Sequence, residues 1–201
     1  GKIPVSAYLT DRVDFATFSG HKFHAVRGVG FVYKKAGKKI TPLLTGGGQE
    51  KDFRSTTENV AGIASMAKAL RLVTDKEGFS LPKIAKMKKI IFDELAKYED
   101  ITIFSGEGED FAPNILTFGI KGVRGEVVVH AFEEHQIYIS TTSACSSKAG
   151  KPAGTLISMG VPTKLAQTAV RISLDDDNDM GQVEQFLTIF KQVYAKTQKV
   201  R

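Results

Sequence analysis

The lysine at position 22 is the first residue of this sequence whose surroundings suggest chemistry. It ends the run Ser19–Lys22, of sequence Ser-Gly-His-Lys, directly after a short apolar stretch. A lysine amine can bond covalently to a carbonyl, and Ser19 and His21 could hydrogen-bond an anion beside it. Pyridoxal 5′-phosphate carries both groups, so the run is a candidate site for that cofactor. The alternative is a solvated surface lysine, since the chain contains 28 lysines and arginines and such side chains mostly lie in water.

The single cysteine is the second candidate. Cys145 lies in the run Ser-Ala-Cys-Ser-Ser, and residues 146–154 are small, polar and partly basic. We predict a mobile loop there, on which an exposed thiol could act as a thiolate nucleophile. A free cysteine is more often a buried apolar filler, but the polar neighbours favour the nucleophile here.

The third candidate is an arginine in a predicted strand. Arg171 stands between Val170 and Ile172. If its side chain points into a cleft, the planar guanidinium is suited to a bidentate contact with an α-carboxylate. An arginine that points to solvent is the alternative, and the residues alone leave both interpretations open.

A glycine-rich segment before a predicted helix is the fourth candidate. Residues 46–50 read Gly-Gly-Gly-Gln-Glu, and residues 54–59 bring hydroxyls to the start of a helix predicted from Thr57 to about Val73. A helix N-terminus binds anions, although an ordinary capped helix explains the pattern equally well. We predict Thr56 or Thr57 as the N-cap, with Glu58 in the first turn. The predicted inward face comprises Val60, Ile63, Ala64, Ala67, Leu70 and Leu72.

Hydrophobic periodicity predicts the elements that must position these residues. Strands are predicted at 15–18, 30–33, 101–103, 114–118, 137–140 and 170–173. Helices are predicted at 81–98, 125–135 and 180–197, with two short helical pieces around Met159. The acidic run at 175–179 is predicted to cap the last helix electrostatically. In the helix at 125–135 the expected inward residues are Val127, Val128, Ala131 and Phe132. Residues 1–76 resemble the tail of a larger α/β unit, and residues 77–201 a small α+β domain with helices over an antiparallel sheet.

Composition limits the classes of protein to consider. The 201 residues are 42% hydrophobic and carry a net charge of +6. No run of about 18 apolar residues exists, which argues against a membrane span. The positive charge is spread along the chain, so we expect no nucleic-acid partner. One cysteine excludes an internal disulfide, and the four histidines show no metal-ligand spacing with it. We therefore expect a reducing, cytoplasmic location and no metal site.

Taken together and in this order, the four segments resemble the cysteine desulfurases of the class V aminotransferase superfamily, which depend on pyridoxal phosphate. The matching motifs are Ser-Gly-His-Lys, Gly-Gly-Gly-Gln-Glu with Arg-Ser-x-Thr, Ser-Ala-Cys-Ser-Ser and Arg-x-Ser-Leu. The serine-rich cysteine segment is similar to the iron–sulfur-cluster and nitrogen-fixation branch. The resemblance implies an α/β fold: the C-terminal part of an aspartate-aminotransferase-like large domain, followed by the small α+β domain.

The same resemblance implies a role for each candidate near the cofactor. Lys22 would hold pyridoxal phosphate covalently and later move the α-proton of the substrate. Ser19, Gly20 and His21 would form the adjoining part of the cofactor site, with Ser19 and His21 on the phosphate. Thr57 would reach the phosphate bound by a neighbouring subunit.

The implied reaction converts L-cysteine into L-alanine. Arg171 would hold the substrate carboxylate, and Cys145 would take the sulfur as a persulfide. Sulfur-acceptor or scaffold proteins of iron–sulfur-cluster or thio-modification pathways would then receive it. The intact protein would be a homodimer.

Several residues depart from the pattern of the resembled family. Residues 25–27 read Ala-Val-Arg where the family usually has Gly-Pro-Lys, and Thr56, Thr142 and Asp175 each replace a glycine. None of these changes removes a reactive group. They leave the efficiency and the identity of the sulfur acceptor open.

The resemblance also implies that this chain corresponds to a C-terminal half. In the family an N-terminal half supplies a histidine that stacks on the cofactor ring and an aspartate that pairs with its nitrogen. We therefore expect an incomplete cofactor site and an inactive chain when it is alone. Two alternatives stay open: a related class V aminotransferase or lyase in which Cys145 is incidental, and a non-catalytic docking module for sulfur acceptors.

Overall fold

Two units make up the chain, Gly1–Phe79 and Ser80–Arg201. The computed structural model describes residues 9–74, 81–108, 110–141 and 154–198. The boundary expected after residue 76 lies outside these residues, as do Thr142, Cys145 and the predicted loop up to residue 153.

The first unit is built on a hairpin that carries the candidate lysine. Strands β1 (Phe15–Ser19) and β2 (Gly30–Lys34) pair antiparallel, with Ser19 opposite Gly30. A short 3₁₀ helix, Gly20–Phe23, follows β1 directly. Both predicted strands are thereby confirmed. Phe18 and Phe31 stack across the pair with ring centroids 4.5 Å apart.

Helix α1 (Val60–Thr74) starts later than predicted. The Asn59 side chain caps it, because its Oδ1 accepts a hydrogen bond of 3.0 Å from the Gly62 backbone N–H. The prediction of Thr56 or Thr57 as the N-cap is therefore wrong. Both threonines lie in the irregular segment before the helix, where the amide side chain of Asn59 is the nearer acceptor for the first helical N–H groups.

Most of the predicted inward face of α1 is also wrong, although Leu70 packs against the buried cluster as predicted. The buried residues of this helix are Gly62, Met66 and Ala69, whereas Val60 is 72% and Leu72 50% exposed. The helix packs on the hairpin through its glycine and small residues, because a Cβ on Gly62 would lie 2.4 Å from a Val29 methyl. Hydrophobic periodicity along α1 could not distinguish the buried face of the helix from the adjacent, exposed face.

The second unit is a four-stranded antiparallel sheet covered by helices. The strand order is β3-β4-β6-β5, and the antiparallel pairing is the one predicted. Its elements are α2 (Leu81–Leu95), β3 (Ile101–Ile103), β4 (Ile115–Ile120), α3 (Gly125–Glu133), β5 (Ser140–Thr141), α4 (Gly154–Ser158), α5 (Thr163–Ala166), β6 (Ala169–Ser173) and α6 (Met180–Gln198).

One face of this sheet forms the main core. On β4 the side chains of Leu116, Phe118 and Ile120 have no exposure, as the alternation of a strand requires. Phe132 of α3 stacks on Phe186 of α6 with centroids 5.1 Å apart. These helices therefore cover the sheet with large, buried side chains.

Two details of the predicted α3 region need correction. Val127 was expected to face inward but is 54% exposed. The strand predicted at 137–140 shrinks to Ser140–Thr141. The reason lies at the end of α3, where the Ile137 N–H donates to the Phe132 carbonyl at 3.1 Å and Gln136 adopts a φ of 58°. Residues 136–137 therefore belong to the end of the helix, and few residues remain to form a strand that pairs with β6.

The acidic run before α6 caps the helix as predicted. Asp179 Oδ1 accepts a 2.9 Å bond from the Gln182 N–H, and Gln182 Oε1 accepts one of 3.3 Å from the Asp179 N–H. This reciprocal pair is a capping box.

Helix α2 contains a buried cation that the sequence analysis missed. Lys88 is only 6% exposed, and its Nζ donates to the carbonyls of Gly106 at 3.1 Å and Ala112 at 3.0 Å. Desolvation lowers the pKa of Lys88, partly offset by the nearby charge of Glu107. The ammonium thus anchors the loop between β3 and β4.

A glutamate on α2 connects this helix to α6. Glu94 forms an ion pair with Lys97, three residues later in the chain, and another with Lys191 of α6 at 3.3 Å. The Lys97 hydrogen bond is the main cause that lowers the pKa of Glu94 below its ordinary value, with burial opposing it. A carboxyl whose pKa is lowered by folding stabilises the protein at pH values above its unfolded-state pKa. This stability is lost as the pH falls through the folded-state pKa.

Replacing this glutamate should therefore give a pH-dependent loss of stability. For Glu94→Gln in the full chain we expect the free energy of unfolding at pH 7 to be about 1 kcal/mol lower than in the wild type. The difference in stability should shrink as the pH falls below 4.5, the ordinary pKa of a glutamate side chain. Urea unfolding at pH 7 and in acid measures both. The exposed Glu184→Gln on α6 is the control, and an equal loss at both pH values would contradict the ion-pair explanation.

Candidate functional site

The tight turn that carries Lys22 depends on a buried glycine. The Gly20 N–H donates to the Val29 carbonyl at 2.9 Å, and the Gly20 carbonyl accepts from the Ala25 N–H at 3.1 Å. A Cβ on Gly20 would lie 2.9 Å from that Val29 oxygen, so any larger residue would move the backbone. His24 ends the turn in the left-handed region, with φ at 68°.

This backbone presents the candidate side chains outward. Ser19, His21 and Lys22 are exposed, whereas Phe23 and Ala25 are buried in a cluster with residues of α1. The buried pair anchors the turn to the helix. Three polar side chains of the predicted site are therefore exposed on one anchored turn: an amine, with a hydroxyl and an imidazole close to it in sequence.

The glycine-rich segment has an unusual backbone. Glu50, Lys51 and Asp52 all have positive φ, at 51°, 55° and 66°. The Asp52 N–H donates to the Gly48 carbonyl at 3.1 Å, which makes a left-handed turn. Non-glycine residues in this region cost of order 1 kcal/mol each, and such strain concentrates at functional sites. The Ser55 N–H then closes the loop on the Leu44 carbonyl at 3.1 Å.

A cavity of about 990 Å³ lies between this segment and the hairpin. Thr57 is in its wall, together with Arg54 and Thr56. The side chains of Ser19, His21 and Lys22 do not belong to the described lining. The structure of this unit therefore places Thr57 in the cavity and the other four residues of the predicted cofactor site, Ser19–Lys22, on the separate lysine turn.

The cavity includes two residues that the sequence analysis did not single out. The Lys34 ammonium lies 5.3 Å from the centroid of the Phe53 ring, a cation–π distance, and both residues line the cavity. Lys34 was visible only as the first of a basic run. No local pattern connects it with a phenylalanine 19 positions later.

Arg171 lies on an inner strand of the second unit. It is half-buried on β6, with Thr117 of β4 opposite on one side and Ser140 of β5 on the other. Its Nε donates to Ser173 Oγ at 3.2 Å. The arginine is thus surrounded by short hydroxyl side chains, which the sequence analysis missed. Ser173 entered the sequence analysis only as the serine of the Arg-x-Ser-Leu motif, and its two-residue spacing from Arg171 puts it on the same strand face.

A bulge fixes the strand opposite this arginine. The N–H groups of Phe104 and Ser105 both donate to the Thr117 carbonyl, at 2.8 and 3.3 Å. In return the Thr117 N–H donates to Ser105 Oγ at 2.8 Å. Two residues facing one define a β-bulge, a feature common beside active sites.

Cys145 lies outside the described residues. Within the part of the chain that the structure describes, no group of histidine, cysteine and carboxylate side chains could hold a metal ion. None of the helices in the described ranges has the length and apolar character needed to cross a membrane.

Comparison with known proteins gives one consistent family. The aminotransferase class-V profile matches residues 3–186. A NifS/IcsS protein homolog of Lactobacillus delbrueckii subsp. bulgaricus is 47% identical over 192 residues, which is 96% of this chain and 50% of that protein. A cysteine desulfurase IscS of Dictyoglomus turgidum is 34% identical over 174 residues, covering 87% of this chain and 44% of that protein.

Solved structures agree with the sequence relatives. A NifS-like protein from Rickettsia africae superposes with a TM-score of 0.81 at 32% identity, over 96% of this chain and 50% of that one. The chain therefore spans about half the length of the curated relatives it matches. The α/β fold of these NifS-like structures is the fold of this chain.

Proposed function

Because this chain belongs to the aminotransferase class-V family, we propose that it is the lysine- and cysteine-bearing part of a pyridoxal-phosphate-dependent cysteine desulfurase. The observation that carries the proposal is the lysine turn, in which a buried Gly20 presents Ser19, His21 and Lys22 together. The names of the relatives support the desulfurase activity over other class V reactions. In this proposal residues 1–76 are part of the large cofactor-binding domain, and residues 77–201 are the small domain.

The residues of the lysine turn fit the cofactor by their chemistry. The Lys22 amine is exposed and suited to a covalent bond with a carbonyl. The Ser19 hydroxyl and the His21 ring lie next to it and can donate hydrogen bonds to a phosphate. Thr57, in the cavity wall, is assigned to the phosphate of a neighbouring subunit. When bound, the cofactor supplies an electron sink for the α-carbon of the substrate, and the Lys22 amine moves the proton at that carbon.

Cys145 is the proposed acceptor of sulfur. Its thiolate attacks the sulfur of L-cysteine, so that an S–S bond forms while the C–S bond of the substrate breaks. The electron pair of the broken bond stays with the β-carbon, which takes up a proton and gives L-alanine. The products are L-alanine and a persulfide on Cys145, and no external oxidant is needed.

The position of Arg171 supports this assignment. Its cross-strand neighbour Ser140 precedes Cys145 by five residues, and five extended residues span at most about 17 Å. The chain length therefore permits a thiol of this segment to approach a substrate whose carboxylate is held by Arg171.

We further propose that the intact protein is a cytoplasmic homodimer that passes sulfur to acceptor or scaffold proteins. The first unit leaves large apolar side chains in water, among them Leu43 at 94% and Val60 at 72% exposure. A subunit contact would remove such side chains from water.

Mass spectrometry of the intact protein tests the activity directly. After incubation with L-cysteine, we expect the peptide that contains Cys145 to gain the mass of one sulfur atom, with release of an equal amount of L-alanine. Cys145→Ala should abolish the gain, because no thiolate remains to accept sulfur.

Two outcomes would contradict the proposal. Unchanged product formation by Cys145→Ala would indicate a class V aminotransferase or lyase in which the thiol is incidental. A protein that binds sulfur acceptors but never gains sulfur would indicate the docking module. The exposed Ser158→Ala on α4 is the matched control, since it changes a small polar residue close to the cysteine segment in sequence without removing a thiol.

A further inference from the structure

Ser173 holds the guanidinium of Arg171 in one direction. The two residues are separated by one position on β6 and therefore share a strand face. Arg171 Nε donates to Ser173 Oγ at 3.2 Å. This bond restrains the plane of the guanidinium, because Nε belongs to that plane and joins it to the aliphatic part of the side chain.

We propose that Ser173 is a positioning residue that makes Arg171 bind the substrate carboxylate end-on. A guanidinium can contact a carboxylate bidentately through Nε and one terminal nitrogen, or through both terminal nitrogens. The bond to Ser173 occupies Nε, so the edge formed by the two terminal nitrogens is the one presented. The identity of the carboxylate as that of L-cysteine rests on the proposed function.

The surroundings of the guanidinium leave its charge available. Among the ion pairs of the described residues, none includes Arg171. Its cross-strand neighbours Thr117 and Ser140 are short and uncharged. The bulge at Ser105 holds the backbone of Thr117 in place. A half-buried cation that has no carboxylate partner among the described residues, on a braced strand, is suited to an external anion.

Kinetics of the intact protein provide the first test. For Ser173→Ala we expect the KM for L-cysteine to rise about fivefold while kcat stays within about twofold, because the substrate is held less well but the reacting groups are unchanged. Ser173→Thr keeps the hydroxyl and should restore the KM. Thr102→Ala is the matched control: Thr102 pairs with Gly119 and lies on the same sheet face, on the far edge strand. A kcat loss without a KM change would overturn the positioning role.

Nuclear magnetic resonance of the 201-residue chain gives a second readout that needs no cofactor. We expect the Arg171 Nε–H to exchange slowly with solvent in the wild type and in Ser173→Thr, and faster in Ser173→Ala. Added L-alanine, as a carboxylate probe, should perturb the terminal nitrogens of Arg171 less in Ser173→Ala. Equal exchange in all three proteins would overturn the proposal.

The two readouts separate this inference from the proposed function. If the intact protein forms no persulfide while the Nε–H exchange and the L-alanine titration still depend on Ser173, the desulfurase assignment fails and the positioning role stands. If persulfide forms and both the KM and the exchange are indifferent to Ser173, the positioning role fails and the desulfurase assignment stands.

Discussion

Replacing Lys22 by alanine is expected to lower the turnover of the intact protein with L-cysteine by about 10³-fold or more. The variant loses the amine that holds the cofactor and moves the proton at the substrate α-carbon. Only the side chain beyond Cβ changes, and Lys22 is exposed. The fold should therefore be preserved, so that the loss is chemical.

The measurement combines rate with covalent labelling. In the wild type, borohydride should fix pyridoxal phosphate to the peptide that contains Lys22, and Lys22→Ala should abolish the labelling. Lys39→Ala removes another exposed lysine of the same unit and should leave both the rate and the labelling unchanged. Labelling of any other lysine in the wild type would refute the assignment of Lys22.

Truncating Phe132 is expected to destabilise the second unit by about 3–5 kcal/mol. This ring is completely buried and stacks on Phe186 at 5.1 Å, so Phe132→Ala removes contacts from two helices and leaves a cavity.

Urea unfolding of the full chain, followed by circular dichroism, measures this loss. Val127→Ala on the same helix is the matched control, since Val127 is 54% exposed and truncation at the surface should change stability by less than about 0.5 kcal/mol. Equal effects of the two substitutions would show that α3 does not pack as described.

The sequence was sufficient for the elements whose patterns are local. Strand alternation predicted β1, β2 and β3, and the acidic run before α6 predicted its cap, because both signals depend on neighbours a few residues apart. The same locality explains the failures. Asn59, and not a threonine, is the N-cap of α1. Val127 was predicted to be buried but is exposed, because burial depends on which other elements pack against a helix.

The candidate site divides in the same way. The sequence by itself determined the chemical groups: an amine next to a hydroxyl and an imidazole, a thiol in a polar run, and an arginine in a strand. Only the tertiary structure showed that Gly20 is buried against the Val29 carbonyl, that Lys34 covers Phe53, and that Lys88 is a buried cation.

Arg171 shows the physical reason for this division. Its residue type and its strand followed from the sequence, since both are properties of a short stretch of chain. Its neighbours Thr117 and Ser140 come from residues 54 and 31 positions away, and antiparallel register is set by packing of the whole sheet. The sequence gives the residue types, whereas the hydroxyl groups that surround and orient the guanidinium come together only when the strands pair.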